Sequence, residues 1–293
     1  MTISLALNEF LTTQKLRYNS KHTLDSYQWQ LSPFLQYTSD LDVSFITLDL
    51  CNRYKLSLRE NNLTSASCQS YCRALRVFLK WMYEENYITE NISARFSLPK
   101  AKRKIIDTLT DDEINRLFQC DFQSDSVKLR NGCLVSLMLD SGLRLSEAVS
   151  LQRSRVYLRE CYCCVDGKGG KQRIVPLGGT TRAFLERYMA QVDTVGSLFV
   201  LNNRQPLTVD AVKDVFRKLK KESRIDRLRP HLLRHTFATR YLQNGGDLFK
   251  LQRILGHTSI EMTKRYLHLS SNFVCADFEK YSPLSYMAKN GRL

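Results

Sequence analysis

The chain has 293 residues, 43% hydrophobic and 25% charged, which excludes a disordered or collagen-like polymer and leaves room for one large domain or two of ordinary size. No apolar run reaches the roughly 18 residues needed to span a bilayer. No basic-then-apolar leader opens the chain, and nine cysteines are an odd count for a disulfide scaffold, so a cytoplasmic protein is expected. Charge is lopsided. Lys and Arg number 44 against 29 Asp and Glu, net +15, with 11 basic to 9 acidic residues in 1–100 and 33 to 20 beyond. Such a field attracts a polyanion, nucleic acid first; an inert basic surface is the alternative.

In chain order, the first hundred residues predict a small bundle of three or four amphipathic helices. Ile3, Ala6, Leu7, Phe10 and Leu11 fall at helical spacing, as do Leu24, Tyr27, Leu31, Phe34 and Leu35, and then Cys68, Cys72, Leu75, Phe78, Leu79 and Met82. Between Asn91 and Asp107 the periodicity lapses, and Pro99 is followed by Lys100, Lys102, Arg103 and Lys104. A basic linker over 101–107 is expected, either simply solvated or tracking phosphates as a strap. Thr110 and Glu113 form a capping box ahead of Ile114, Leu117 and Phe118, so a second domain starts near 108.

That domain reads as mixed. Asn131–Ser141 is an apolar helix closed by Gly142. Residues 156–177 alternate as strands, with a glycine-rich turn at 166–170 leading to a second strand at 172–176. Val212, Val215, Phe216 and Leu219 mark a helix with Lys213, Arg217 and other cations on its outer face; beyond Pro230 everything reads as helical.

Several features offer chemistry, and none decides alone. His231, Arg234 and His235 share one helical face just after Pro230, so imidazole and guanidinium can converge on one ligand. The same histidine spacing occurs in zinc proteases, but the glutamate after the first histidine is lacking and Arg234 would set a fixed cation beside the metal. Arg144 and Glu147 read in isolation as a salt bridge. Lys168, between Gly167 and Gly169, is a turn lysine or a ligand-approaching one. Cys161, Cys163 and Cys164 read as packing residues. Tyr266 is one tyrosine among fourteen.

Taken in order, Arg144, Lys168, His231, Arg234, His257 and Tyr266 resemble the active site of the tyrosine recombinases, the phage-integrase-like family. The segments SGLRLSE, GKGGK, HLLRHTFAT and LGHTSIEMTKRYLH carry the resemblance. HTLDSYQWQLSPFLQY looks, less specifically, like that family's core-binding domain. The compact length is similar to Xer-type enzymes and to transposon or plasmid recombinases, so an additional arm-binding domain is not expected.

The resemblance implies a mainly α fold with a small β-sheet. A helical core-binding domain would occupy 1–100, a basic linker 101–107, a mixed α/β catalytic domain 108–270, and a tail over 271–293 that docks on a neighbouring protomer, with packing on its own domain as the alternative. It implies a site-specific recombinase in which Tyr266 attacks a DNA phosphodiester to give a 3′-phosphotyrosyl link. Arg144 and Arg234 would clamp the phosphate, Lys168 would protonate the leaving 5′-oxygen, His231 would assist proton transfer, His257 would hydrogen-bond the phosphate, and Glu147 would brace the site. No metal or nucleotide cofactor is implied.

The implied partners are double-stranded DNA with inverted-repeat core sites and, on it, a homotetramer exchanging strands through a Holliday junction. The free chain would be a monomer or weak dimer; accessory DNA-bending proteins are a further expected partner, a membrane is not, and the location would be the nucleoid. Lys100, Lys102, Arg103, Lys104, Lys213 and Arg217 are the expected DNA contacts. Topoisomerase IB-like relaxation and a non-catalytic DNA-binding regulator are the alternatives.

Overall fold

The computed structural model describes residues 1–100, 106–167 and 172–266. The chain divides into two compact units, Met1–Lys104 and Ile105–Leu293, each with its own core.

The first unit is helical: α1 (Ile3–Leu16), α2 (Lys21–Tyr37), α3 (Leu48–Glu60), α4 (Ser65–Glu84) and the single turn α5 (Ile92–Arg95). Each long helix starts at a hydroxyl cap. Thr2, Ser20, Thr47 and Thr64 accept the amides of Leu5, Thr23, Leu50 and Ser67, satisfying donors that the helix itself leaves open. The apolar stripes meet in one core. Phe10 lies edge-on to Phe78 and Trp81 at ring distances of 5.3 and 5.5 Å, and Phe34 edge-on to Tyr54 at 5.1 Å. The segment where periodicity lapses is not all linker, because Ile92 and Phe96 are each 1% exposed and pack into this core.

The second unit opens with α6 (Asp111–Gln119), whose Thr110–Glu113 capping box is formed as the sequence predicts. Next come α7 (Ser126–Asp140) and the short α8 (Leu145–Val149). A three-stranded antiparallel sheet follows, β1 (Val156–Tyr157), β2 (Tyr162–Asp166) and β3 (Gln172–Pro176), ordered β1-β2-β3. Helices α9 (Gly179–Gln191), α10 (Val209–Ser223), α11 (Pro230–Gln243), α12 (Leu248–Leu255) and α13 (Glu261–Lys264) complete it. The core gathers α7, the sheet's inner face, α9 and α10.

Cys163 and Val165 face inward from β2 as the alternation requires. Cys161 does not share it: its φ of 62° places it in the turn before the strand. No helix among the described residues is long and apolar enough to cross a membrane.

Candidate active site

Three chain reversals bring the charged groups together. Gly142, with φ +68°, turns the chain after α7 and delivers Arg144 to the N-cap of α8. Its missing side chain matters as well, because a Cβ there would lie 2.4 Å from the Phe237 ring. Pro230 occupies the first turn of α11, where a missing amide costs nothing, and starts the helix that carries His231, Arg234 and His235. Gly256, with φ +63°, ends α12 and releases His257 toward the same place.

Glu147 is the hub. It is 6% exposed and accepts from the Arg144 amide at 2.8 Å and the Arg144 guanidinium at 2.7 Å. Arg173 on β3 grips both carboxylate oxygens at 2.8 Å each, and Arg234 stands 3.9 Å away. Burial pushes the carboxyl pKa up, but the bonds from Arg173 and the Arg144 amide, with the charge of Arg173, outweigh it and hold it at about 2. A carboxylate ionised this firmly balances one guanidinium charge, and three guanidinium groups surround it, so the cluster keeps a net positive charge.

Arg234 is 4% exposed. It donates to the Gly142 carbonyl at 2.6 Å and the Leu255 carbonyl at 2.8 Å, and approaches His257 Nε2 at 3.3 Å. Burial, then repulsion from Arg144, lowers its pKa to about 10, still charged at neutral pH. Because guanidinium only donates, His257 Nε2 accepts, so Nδ1 carries the proton and donates to the buried Thr263 hydroxyl at 2.9 Å. Burial and the cations Arg234, Arg144 and Arg265 push His257 to about 4. For His257 to donate to a phosphate, the ring must take the other tautomer, with the Thr263 hydroxyl then donating to Nδ1.

Tyr266 closes the set. Its ring is 2% exposed among Ala238, Leu242, Leu251 and Leu255. Its hydroxyl pairs with His235 Nδ1 at 2.8 Å rather than with either arginine. Burial raises its pKa; Arg265, Arg234 and Arg144 offset part of that rise. His231, exposed at the start of α11, stacks on His235 with ring centroids 6.4 Å apart. Partial burial and the nearby Arg234, Arg229 and Arg144 lower its pKa. A cleft of about 1270 Å³ opens beside the cluster, lined by Arg173, His257, Lys250 and Arg253 among others.

The structure thus joins Arg144, Glu147, Arg234 and His257 into one contact network, with Tyr266 and His231 linked through His235. Lys168, Lys102, Arg103 and Lys104 lie outside the described residues. Lys100 is exposed at the end of the first unit. Lys213 and Arg217 lie on the outer face of α10, each paired with a carboxylate three residues away, Asp210 at 2.7 Å and Asp214 at 2.6 Å.

Arg173 is the residue that sequence reasoning missed. Its signal was present: it shares a strand face with buried Val175, and a cation two residues from a core valine needs a buried anion. Its Nε also donates to the Ile254 carbonyl at 2.7 Å, tying β3 to the end of α12. Among the described residues no three His, Cys, Asp or Glu side chains gather as a metal site.

Residues 107–272 match the phage integrase family, and residues 7–92 match the phage integrase N-terminal SAM-like domain. The chain belongs to the phage integrase family. It is 31% identical to tyrosine recombinase XerD of Oceanobacillus iheyensis, over 90% of this chain and 93% of that one. With tyrosine recombinase XerC of Escherichia coli the identity is 30%, over 94% of each. The fold matches the XerH site-specific recombinase solved on a palindromic difH substrate in a post-cleavage complex, at a TM-score of 0.72 and 21% identity over 91% of this chain and 82% of that one. The mostly helical architecture with a small sheet is therefore that of the tyrosine recombinases, and the chain is an enzyme of site-specific DNA recombination.

Proposed function

We propose that this recombinase cuts and rejoins DNA with Tyr266 as the nucleophile, forming a 3′-phosphotyrosyl link and freeing a 5′-hydroxyl. The observation that carries the reading is the gathering of Arg144 and Arg234, from elements some ninety residues apart in sequence, around one ionised glutamate beside a tyrosine whose hydroxyl is held in place. Charge accumulates on the non-bridging phosphate oxygens as the bond changes, and fixed cations in a partly buried site act most strongly there.

Arg144, whose side chain is 31% exposed, gives Nη1 to Glu147 and makes only a long 3.5 Å contact from Nη2 to the Gly256 carbonyl, which leaves donors for phosphate. Arg234 presents charge from behind, and Glu147 with Arg173 orients both without discharging them. His257 hydrogen-bonds the phosphate, His231 assists proton transfer, and Lys168 protonates the leaving 5′-oxygen. The phosphotyrosyl bond conserves the energy of the broken linkage.

On DNA the proposal is a homotetramer on two inverted-repeat core sites, exchanging strands through a Holliday junction. The segment 271–293 would dock on a neighbour, and Lys100, Lys102, Arg103, Lys104, Lys213 and Arg217 would contact phosphates, the last two after giving up their carboxylate partners. Dimer or cointegrate resolution and mobile-element integration all fit this chemistry.

The test is a nicked suicide substrate built on palindromic DNA flanking the gene. Wild type should form a covalent protein–DNA adduct; Tyr266→Phe should form none while still shifting the DNA in a gel. An adduct in the Tyr266→Phe variant would remove the nucleophile assignment.

A further inference from the structure

The motif on α11 carries two imidazoles, and the roles above use only the first. His235 lies one turn beyond His231 and is half buried. It is the side chain that touches the Tyr266 hydroxyl, at 2.8 Å through Nδ1. The two rings lie 5.7 Å apart between centroids and tilted by 50°, on elements held by the packing of Tyr266 against Ala238 and Leu242 of the same helix. His231, by contrast, faces solvent.

We propose that His235 removes the phenolic proton of Tyr266 as its oxygen attacks phosphorus, and returns it when the phosphotyrosyl bond is reopened. This rests on Tyr266 being the nucleophile. In cleavage the Oη–P bond forms and the P–O5′ bond breaks. The phenolic proton passes to His235 Nδ1, and the departing O5′ takes a proton from a general acid, the role proposed above for Lys168. In rejoining, the 5′-hydroxyl attacks and its proton goes back to that acid. His235 then protonates the leaving phenolate, so a full cycle consumes nothing.

The surroundings suit a base that works only when DNA is present. His235 faces Tyr266 and, around it, Arg265, His231, Arg234 and Arg229; burial first, and then those four groups, push its pKa to about 4. In the empty site the ring is neutral. With its proton on Nε2, its Nδ1 lone pair accepts from the phenol, and transfer to so weak a base is uphill. A phosphate seated between Arg144 and Arg234 brings negative charge against the same cations, which raises the imidazole's proton affinity at the moment the nucleophile is needed.

Adduct formation on the nicked substrate, followed from pH 6 to 9, tests the assignment. His235→Ala should lose about 10²- to 10⁴-fold in rate and rise about tenfold per pH unit, because the phenolate must then form before attack. Added imidazole should restore part of the rate. His235→Asn places an amide oxygen near the Nδ1 position, so it can accept the hydrogen bond but cannot keep the proton; it should be as slow as the alanine variant, with the same slope.

Wild-type rate and pH profile in the asparagine variant would reduce His235 to a positioning residue and overturn the proposal. A fast alanine variant would do the same. Either result with an adduct-free Tyr266→Phe control removes only the base; an adduct in that control removes the nucleophile itself.

Discussion

Glu147, His235 and His257 fix how this site answers to acid. The unfolded glutamate titrates near its ordinary 4.5 and the native one at about 2, so its contribution to stability is complete above pH 4.5 and lost as the pH falls toward 2. A shift of that size is worth about 3 kcal/mol. The two histidines fail earlier. Both sit at about 4 in the fold against 6.5 in the free chain, so the unfolded state takes up their protons first and stability declines from about pH 6.5 to 4. The thermal midpoint of the second unit should therefore fall measurably between pH 7 and 5, before ordinary carboxylates titrate. The double variant His235→Asn, His257→Asn should flatten that early stage; a wild-type midpoint that does not move would contradict it.

The same residues show what could be read from sequence. Arg144, Arg234, His257 and Tyr266 stand in motifs with recognisable neighbours. Arg173 is one cation on a five-residue strand: its place beside buried Val175 calls for an anion, but that partner lies 26 positions upstream, and no local pattern says which carboxylate it is.

Among elements, β3, α8 and α12 are linked by the single Arg173 side chain, which takes both Glu147 oxygens and the Ile254 carbonyl. Arg173→Lys keeps the charge but loses the planar fork that makes these bonds together. Adduct formation should drop at least about tenfold, as when fixed donors are misplaced, while gel-shift affinity changes little; an unchanged adduct rate would show that charge alone suffices.

Gly256→Ala probes the same junction from the other side. The residue sits at φ +63°, and an added Cβ would come within 3.0 Å of the Arg173 guanidinium. A stability loss of about 1 kcal/mol should accompany a slower adduct, readable from denaturant midpoints and the suicide substrate.

Elements were legible where apolar positions repeat in a long stripe, as in α1, α2, α4 and α10. Helix α9 escaped notice because its buried Thr181, Phe184, Leu185 and Tyr188 are few and interleaved with polar residues. The turn at 92–95 escaped because one helical turn is too short to show a period.

At the scale of the whole molecule, two compact units share one chain. Both tryptophans, Trp29 and Trp81, lie in the first unit, so tryptophan fluorescence follows that unit alone whereas far-ultraviolet dichroism follows both. The two probes should give non-coincident denaturation curves. Phe78→Ala, which empties a fully buried site, should shift the fluorescence curve by about 3–5 kcal/mol and leave the remainder of the dichroism transition in place. Coincident curves that shift together would mean that the units unfold as one.

Arg234 stands at the crossing of chemistry and architecture. Two of its guanidinium nitrogens are committed to the carbonyls that end two different helical stretches, so its removal unfastens the scaffold along with the proposed phosphate clamp. Tyr266 can become phenylalanine with the ring still filling its place. A lineage that abandoned strand exchange but kept its DNA site would accordingly shed the hydroxyl early and retain the arginine long after. An intact arginine beside a missing tyrosine would be the fossil signature of such a descendant.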